Sequence, residues 1–250
     1  MEPKSINFVA FYVDISKNTL NKAQKIAKNV EIDANNHYLN LMFKSVIKHH
    51  KNSNFYIISD KNTEINVMND VKIVRYKLDN STPMLSRSIG WLNFLKENNN
   101  PTIFLDSDIL IISDLSFIFS DTFHIGLTYR NSIKWPINAG IHFVNDINKE
   151  LSISFYEEWL NIFKLKYSSQ NVWGGDQDAI HRLLGELNYK RKDTYFFNLN
   201  NYIIKLLNCK KYNFSTNMEE PMNYIPKKVK VMHFKGNRKK YMDTIWNMIK

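Results

Sequence analysis

Apolar residues in the first half of the chain occur either in short continuous runs or at helical spacing. The runs at 6–13, 55–59 and 71–76 predict buried strands, because a strand covered on both faces is apolar at nearly every position. Between the first two runs, apolar residues recur every three or four positions through 20–30 and again through 39–47, which predicts two helices.

A third helix and a longer apolar run follow. Thr82 before Pro83 predicts the helix start, since Thr is a frequent N-cap and Pro fits the first turn. Apolar residues within 85–95 give this helix a buried face, and the run 102–112 predicts a buried strand. The resulting order, β-α-α-β-β-α-β, predicts a Rossmann-like α/β fold with a central, mostly parallel sheet and helices on both faces.

The second half of the chain has a more mixed pattern. Strands are predicted at 125–129, 140–145, 195–198 and 229–234, and helices at 151–166, 176–184 and 241–249. We find no internal repeat, low-complexity segment or domain boundary, so residues 1–250 are predicted to form a single domain with a full core.

Two acidic residues, Asp106 and Asp108, interrupt the apolar run 102–112. A buried carboxylate is costly unless it is paired. In an extended chain, residues two apart point to the same side, so both carboxylates can reach one hard cation such as Mn²⁺ or Mg²⁺. The alternative is a structural role in a turn or a cap. Because ligands bind at the carboxyl ends of such strands, we favour the metal site.

A second candidate site follows the predicted strand 229–234. His233, Gly236 and Lys239 are spaced three residues apart. Glycine lets the backbone approach an anion and lysine neutralises a phosphate, so the segment is a candidate loop for a metal and a phosphate. The alternative is a structural histidine beside a strand.

Two shorter motifs have ordinary explanations when each is taken alone. Residues 138–140 (Asn-Ala-Gly) precede a predicted strand, as a turn would. Residues 174–177 (Gly-Gly-Asp-Gln) open a predicted helix, where Asp176 can act as the N-cap.

The formal net charge of +10 favours an anionic partner, which can be a nucleic acid, a phosphorylated metabolite or an acidic membrane. Basic residues concentrate at 227–240, where a solvated tail is the alternative. The single cysteine, Cys209, allows no intrachain disulfide. Without a predicted signal peptide or membrane span, we expect a cytoplasmic protein, with peripheral contact at the membrane's cytoplasmic face through the basic C-terminal region left open.

Taken together, the motifs resemble those of the GT-A nucleotide-diphospho-sugar transferases. The likeness is closest to glycosyltransferase family 8, which contains glycogenin and bacterial lipopolysaccharide galactosyl- and glucosyltransferases. It lies in order and spacing over residues 38–241: Lys-Ser-Val at 44–46, Arg87, Phe-Leu-Asp-Ser-Asp at 104–108, Asn-Ala-Gly at 138–140, Asp-Gln at 176–177, and His-x-x-Gly-x-x-Lys from 233.

This resemblance implies roles for individual residues. It implies a Mn²⁺ ion, with Mg²⁺ as the alternative, held by Asp106, Asp108 and His233. The further donor-binding and reaction-centre positions that it implies are Arg87, Ser107, Asn138, Asp176, Gln177, Gly236 and Lys239. Of these, Gly236 and Lys239 match the diphosphate loop, and Asn138, Asp176 and Gln177 match the catalytic centre.

The implied reaction is Mn²⁺-dependent transfer of a hexose from a UDP-sugar to a hydroxyl group, with retention of anomeric configuration. The acceptor can be a glycan, a lipid-linked sugar or a protein, including the enzyme's own tyrosines. Residues 1–130 would be the nucleotide-binding half, and residues 131–250 the half that carries the acceptor site and the metal loop.

The chain departs from the family pattern in two places. About twenty residues, 15–35, intervene before the helix that carries Lys44, so the contacts to uracil are left open. Tyr12 is our candidate for stacking on the base, and a core tyrosine is the alternative. Lys240 and Tyr241 stand where the family commonly has Pro-Trp.

Three other functions compete with this interpretation. Nucleic-acid binding fits the charge, but no recognised nucleic-acid motif occurs, so no specific nucleic-acid partner is expected. A metal-dependent nucleotidyltransferase or phosphohydrolase fits the carboxylates and the histidine, but residues 13–16 are not the Gly-rich phosphate loop that a nucleotidyltransferase would need. A non-catalytic glycosyltransferase-like protein would have the same fold, but the intact set of Asp106, Asp108 and His233 argues against it.

Overall fold

The structure is a computed structural model that describes residues 5–15, 19–21, 24, 36–132, 135–167, 174–185, 194–216 and 220–250. Its strands are β1 (Asn7–Phe11), β2 (Asn54–Ser59), β3 (Val71–Arg75), β4 (Thr102–Leu105), β5 (Ile109–Ile111), β6 (Ile125–Tyr129), β7 (Ile137–Val144), β8 (Tyr195–Leu199), β9 (Tyr202–Asn208) and β10 (Val231–His233). Its helices are α1 (His37–His49), α2 (Pro83–Glu97), α3 (Lys149–Tyr167), α4 (Gly175–Leu184), α5 (Cys209–Tyr212) and α6 (Met242–Ile249), with 3-10 turns at Ser116–Ser120 and Gly236–Tyr241.

One large sheet organises the fold, with the strand order β3-β2-β1-β4-β7-β6-β9-β8. The first four strands in this order are parallel, and so are β6 and β9. Strand β7 runs antiparallel between β4 and β6, and β8 runs antiparallel to β9. The α/β prediction of a mostly parallel sheet with a mixed second half is therefore confirmed.

Alternate residues of the central strands enter two separate cores. Phe8 and Ile103 belong to the core that α1 covers, whereas Val9 and Phe104 belong to the core formed with α2, α3 and α4. Because both faces are covered, the strands are apolar at consecutive positions, which explains the continuous runs in the sequence.

The helix start at Pro83 is confirmed, but the cap differs from the prediction. The Thr82 hydroxyl donates to the Asp79 carbonyl at 3.4 Å and makes no capping bond to the helix. The helix predicted at 20–30 falls largely outside the described residues, which there include only 20, 21 and 24.

Two strand predictions need correction, and one strand was not predicted. The run 102–112 is two strands, because the chain turns at 106–108 between β4 and β5. Strand β7 begins at Ile137 and so includes residues 138–140, which we had expected before the strand. Strand β9 has no counterpart among the predictions, because Lys205 interrupts its apolar run. Its ammonium is in fact buried and donates to the Ile118 carbonyl at 2.8 Å.

One edge of the sheet collects the ends of several strands. The pairings of Leu105 with Ile141, and of Tyr129 with Ile137 and Asn208, place the carboxyl ends of β4, β6 and β9 beside the beginning of β7. The candidate residues from mid-chain therefore meet at this edge. Within the described residues, no helix is both long enough and apolar enough to cross a membrane.

Candidate active site

Asp106 and Asp108 lie in the turn that joins β4 to β5. The amide of Asp106 donates to the Gly140 carbonyl at 2.8 Å, and the Asp108 carbonyl accepts the Phe234 amide at 2.8 Å. We had placed both carboxylates on one extended strand. The turn corrects that expectation, but its backbone bonds still hold both acids at the edge of the sheet.

His233 joins the two acids because β10 pairs antiparallel with β5, which sets His233 opposite Ile109. Its Nε2 lies 3.1 Å from Oδ1 of Asp108 and 3.6 Å from Oδ2 of Asp106. One ligand atom from each of the three residues falls within 4.8 Å of the others, so they form a group that can hold a metal ion. His233 is buried and both acids are partly exposed, so the site is open on one side.

A chain of buried hydrogen bonds sets the tautomer of His233. The Thr128 hydroxyl donates to the Asn138 carbonyl at 2.9 Å and accepts from Asn213 Nδ2 at 2.8 Å. Asn213 therefore presents Oδ1 to Nδ1 of His233, at 2.8 Å, and that nitrogen carries the proton. Nε2 is the nitrogen that faces the acids, and it is the nitrogen that a metal would bind.

Gly140 leaves the space in which the imidazole lies. A Cβ at this position would come within 2.4 Å of Cε1 and 2.6 Å of Nδ1 of His233, and within 3.0 Å of Oδ2 of Asp106. The Asn138 side chain accepts the Gly140 amide at 3.0 Å and holds this part of β7 in place. The Asn-Ala-Gly segment thus has a steric role in the site that the sequence did not reveal.

Arg87 links the acids of two elements. This guanidinium on α2 is buried, forms ion pairs with Asp106 and Asp176, and lies 4.8 Å from the centre of the Trp91 ring. Asp176 is buried in the first turn of α4, where Gly174 is the N-cap residue, so its carboxylate serves the ion pair rather than a cap. Asp176 Oδ1 and Gln177 Oε1 are buried without a hydrogen-bond partner in the described residues.

Burial and the neighbouring charges favour the metal-binding protonation states of Asp108 and His233, but not that of Asp106. Burial lowers the pKa of His233, although Asp108 acts in the opposite direction. Burial would raise the pKa of Asp108, but His233 and Lys239 outweigh it and hold that pKa below its usual range. Burial raises the pKa of Asp106, opposed by Arg87 and His233. Histidine binds metals as a neutral imidazole and aspartate as a carboxylate, so the lowered pKa of His233 and that of Asp108 both favour metal binding.

No family model and no curated protein sequence matches the chain. Solved structures do match it. A glycosyltransferase involved in glycosylation of the major capsid of PBCV-1 is 12% identical over 98% of this chain and 100% of that one, with a TM-score of 0.52. The galactosyltransferase LgtC, in complex with donor and acceptor sugar analogs, is 11% identical over 98% and 96% of the two chains, with a TM-score of 0.54. The glycosyltransferase GlyE of Streptococcus pneumoniae TIGR4 is 13% identical over 98% of this chain and 62% of its own, with a TM-score of 0.53.

The chain has the GT-A glycosyltransferase fold. The likeness predicted from the motifs is confirmed at this level. Sequence identities this low show only that the folds are alike. The sugar donor, the metal and the acceptor therefore have to be argued from the residues of this chain.

Most of the site positions carried over from the motifs do meet in this GT-A fold. Asp106, Asp108 and His233 converge, and Ser107 lies in the same turn. Lys239 Nζ lies 3.8 Å from Oδ2 of Asp108.

The other carried-over positions lie around this group. Gly236 opens the 3-10 turn Gly236–Tyr241 with a φ of 57°, a conformation that suits glycine. Asn138 bonds the backbone of its own strand. Tyr12 follows β1, is half-buried and packs against the core on the α1 side.

Three residues near the site escaped the motif search: Thr128, Arg130 and Asn213. Thr128 lies near the end of β6, Arg130 directly follows that strand, and Asn213 follows α5. No motif marks them, because their roles depend on contacts between segments that lie far apart along the chain, such as Asn213 with Thr128.

Proposed function

We propose that this protein transfers a hexose from a UDP-sugar to a hydroxyl acceptor, with Mn²⁺ held by Asp106, Asp108 and His233. The observation that carries the proposal is the convergence of these three side chains within 4.8 Å at the ligand-binding edge of a GT-A fold. The residue types at these positions would not support this function by themselves, and neither would the fold. The two observations together do.

The three side chains fit a divalent ion. Two carboxylate oxygens and one imidazole nitrogen form a donor set that Mn²⁺ accepts, with Mg²⁺ as the alternative. Because His233 Nδ1 donates to Asn213, Nε2 is the imidazole nitrogen that faces the Asp108 oxygen, at 3.1 Å, and both atoms can be ligands of one cation. When bound, such an ion would neutralise charge on the leaving diphosphate.

The loop after β10 supplies the rest of the diphosphate site. Lys239 would turn from Asp108 toward a phosphate oxygen, and Gly236 lets the backbone come close to the phosphates. Ser107 and Tyr12 are our proposed further contacts to the nucleotide. In this proposal residues 1–130 hold the nucleotide, and residues 131–250 supply the metal loop and the acceptor site.

The residues around Arg87 would hold the donor sugar. Oδ1 of Asp176, which has no hydrogen-bond partner among the described residues, can accept a sugar hydroxyl, while the ion pair with Arg87 holds the carboxylate in place. Gln177 Oε1, also unpaired, would lie near the anomeric carbon, where an amide oxygen favours an oxocarbenium-like transition state. Asn138 completes this centre. We propose retention of configuration and assign no nucleophile.

The acceptor in this proposal is a hydroxyl of a glycan, a lipid-linked sugar or a protein. We also propose a cytoplasmic location, with peripheral contact between the basic segment 227–240 and an anionic membrane surface. Lys227, Lys228 and Lys240 are exposed there, which is consistent with such contact.

A panel of UDP- and GDP-sugars incubated with Mn²⁺ and scored for donor hydrolysis tests the proposal. We expect Mn²⁺-dependent hydrolysis of a UDP-sugar, abolished by Asp108→Asn. The matched control is Asp243→Asn, an exposed acid that pairs with His37, which should retain full activity. Equal turnover in Asp108→Asn and wild type, or no hydrolysis of any donor, would refute the proposed function.

A further inference from the structure

We propose that Trp159 is a positioning residue for the reaction centre, because its indole N–H fixes the first turn of α4, which carries Asp176 and Gln177. The inference rests on the proposed function and adds to it a residue that no motif marks. Trp159 lies on α3 and its side chain is fully buried. It can therefore act on the reaction only through the residues that it contacts.

The start of α4 needs support from outside the helix. Gly174 and Gly175 come directly before Asp176, and Gly174 has a φ of 89°, which glycine adopts without strain. Glycine restrains the backbone less than any other residue, so this pair by itself leaves the position of the first turn poorly fixed. As the N-cap residue, Gly174 also has no side chain with which to cap the helix.

Trp159 provides that support. Its Nε1 donates to the Asp176 carbonyl at 2.9 Å, in a buried hydrogen bond. The indole is itself held on two sides, since its ring centre lies 5.3 Å from that of Tyr156 on the same helix and 5.6 Å from that of His142 on β7. The bond therefore ties the start of α4 to a rigid part of the core.

Asp176 is thus held at both its backbone and its side chain. Its Oδ2 forms the buried ion pair with Arg87, while its carbonyl accepts from Trp159. Together the two contacts set the direction of Oδ1, which is buried and has no hydrogen-bond partner among the described residues. Oδ1 is the oxygen that we propose to accept a sugar hydroxyl. A misplacement of about 1 Å at such a group can cost about 100-fold in rate.

Trp159→Phe tests this role, because it removes the indole N–H and keeps an aromatic ring. The matched control is Tyr156→Phe on the same helix. The Tyr156 hydroxyl bonds Nδ1 of His142 at 3.0 Å, and Tyr156 is as fully buried as Trp159. Each variant loses one buried hydrogen bond, so each should melt below the wild type.

Only the change at Trp159 should alter the reaction. We expect kcat for Mn²⁺-dependent UDP-sugar hydrolysis to fall about tenfold in Trp159→Phe and to stay within about twofold of wild type in Tyr156→Phe. UDP affinity, measured by calorimetric titration, should stay within about twofold in both variants. Equal losses of kcat in the two variants would mean that Trp159 only stabilises the core, and the proposal would be wrong.

Trp159→His separates activity from stability. The Nε2 of histidine occupies the place in its five-membered ring that Nε1 has in tryptophan, so the N–H donor can be kept while the benzene ring is lost. This variant should melt below Trp159→Phe, because it leaves a larger cavity, yet hydrolyse the donor faster. A purely structural role predicts the same rank order for activity as for melting temperature. If Trp159→His does not fold, Trp159→Phe still decides the question.

A double variant tests whether the effect passes through Asp176. In Asp176→Asn the carboxylate that Trp159 would aim is gone, so adding Trp159→Phe should change the residual kcat by less than about twofold. A further tenfold loss in the double variant would make the two effects additive and would contradict positioning through Asp176.

Amide hydrogen exchange tests the contact without any turnover. Exchange in peptides that contain residues 175–180 should be about tenfold faster in Trp159→Phe than in the wild type, and unchanged in Tyr156→Phe. Unchanged exchange there in Trp159→Phe would overturn the proposal. If the wild type hydrolyses no UDP-sugar, the proposed function fails, whereas faster exchange confined to α4 would still support Trp159 as the residue that fixes Asp176.

Discussion

Gly140 and His233 are in direct contact, and a single added methyl group on Gly140 would lie 2.4 Å from the imidazole carbon Cε1. The contact joins β7 to β10, two strands that belong to different sheets. The metal group therefore depends on a residue that offers no ligand atom.

Gly140→Ala should remove metal binding. The methyl group would displace the imidazole and crowd Oδ2 of Asp106, so the ligand atoms would no longer converge. We expect Mn²⁺ affinity, measured by the electron paramagnetic resonance signal of free Mn²⁺, to fall at least about tenfold. Gly126→Ala is the control, because its Cβ would crowd Phe143 at 2.9 Å in the core. That variant should melt earlier yet keep its Mn²⁺ affinity, and an equal loss in both variants would contradict the steric role of Gly140.

Asn213 should control the affinity of His233 for metal. In Asn213→Leu the Nδ1 proton loses its acceptor and the preferred tautomer is lost, so Mn²⁺ affinity should fall about 10- to 100-fold. Asn213→Asp keeps an acceptor at Nδ1 and should stay within a few-fold of wild type. Calorimetric titration with Mn²⁺ across pH 6 to 8 measures both. Wild-type affinity in Asn213→Leu would show that the tautomer does not limit binding.

Arg87→Met should destabilise the fold. It would leave the buried Asp176 carboxylate without its counter-charge, a change that costs about 3–5 kcal/mol in other proteins. Adding Asp176→Asn to the Arg87→Met variant removes the uncompensated charge of Asp176 and should restore part of the lost free energy of unfolding. Urea unfolding of the two single variants and the double variant measures this coupling. Strictly additive effects would mean that the pair does not interact in the folded state.

Stability should decline as the pH falls from 6.5 toward 4. Burial, more than the opposing charge of Asp114, lowers the pKa of His50 to about 4 in the folded state, below its unfolded value near 6.5. The unfolded chain then binds more protons in this window, so His50 contributes stability that is complete above pH 6.5 and is lost as the pH drops, by at most about 1.4 kcal/mol per pH unit.

Replacing His50 with glutamine tests this pH dependence. His50 Nε2 accepts the Leu115 amide at 3.2 Å, and glutamine can still accept that bond but cannot titrate. Urea unfolding of His50→Gln should therefore show a shallower decline between pH 6.5 and 4. An unchanged slope would assign the pH dependence to other groups, such as the fully buried His142.

The secondary structure of the central sheet could largely be predicted from the sequence, because burial on both faces produces apolar runs. The pattern failed where a polar side chain is buried, as at Lys205 in β9, whose ammonium bonds the Ile118 carbonyl. It also failed at 106–108, where two apolar strands on either side of a turn look like one long strand.

What the sequence alone determined is the order of elements and the residue types of the candidate site: two acids, a histidine and a lysine at family-like spacing. Only the tertiary structure decided how they meet. The pairing of β10 with β5 brings His233 to acids more than a hundred positions earlier, and local patterns carry no information about contacts at such separation. The same holds for the support from Asn213, Thr128 and Gly140, since a hydrogen bond or a steric contact between distant segments exists only once the chain has folded.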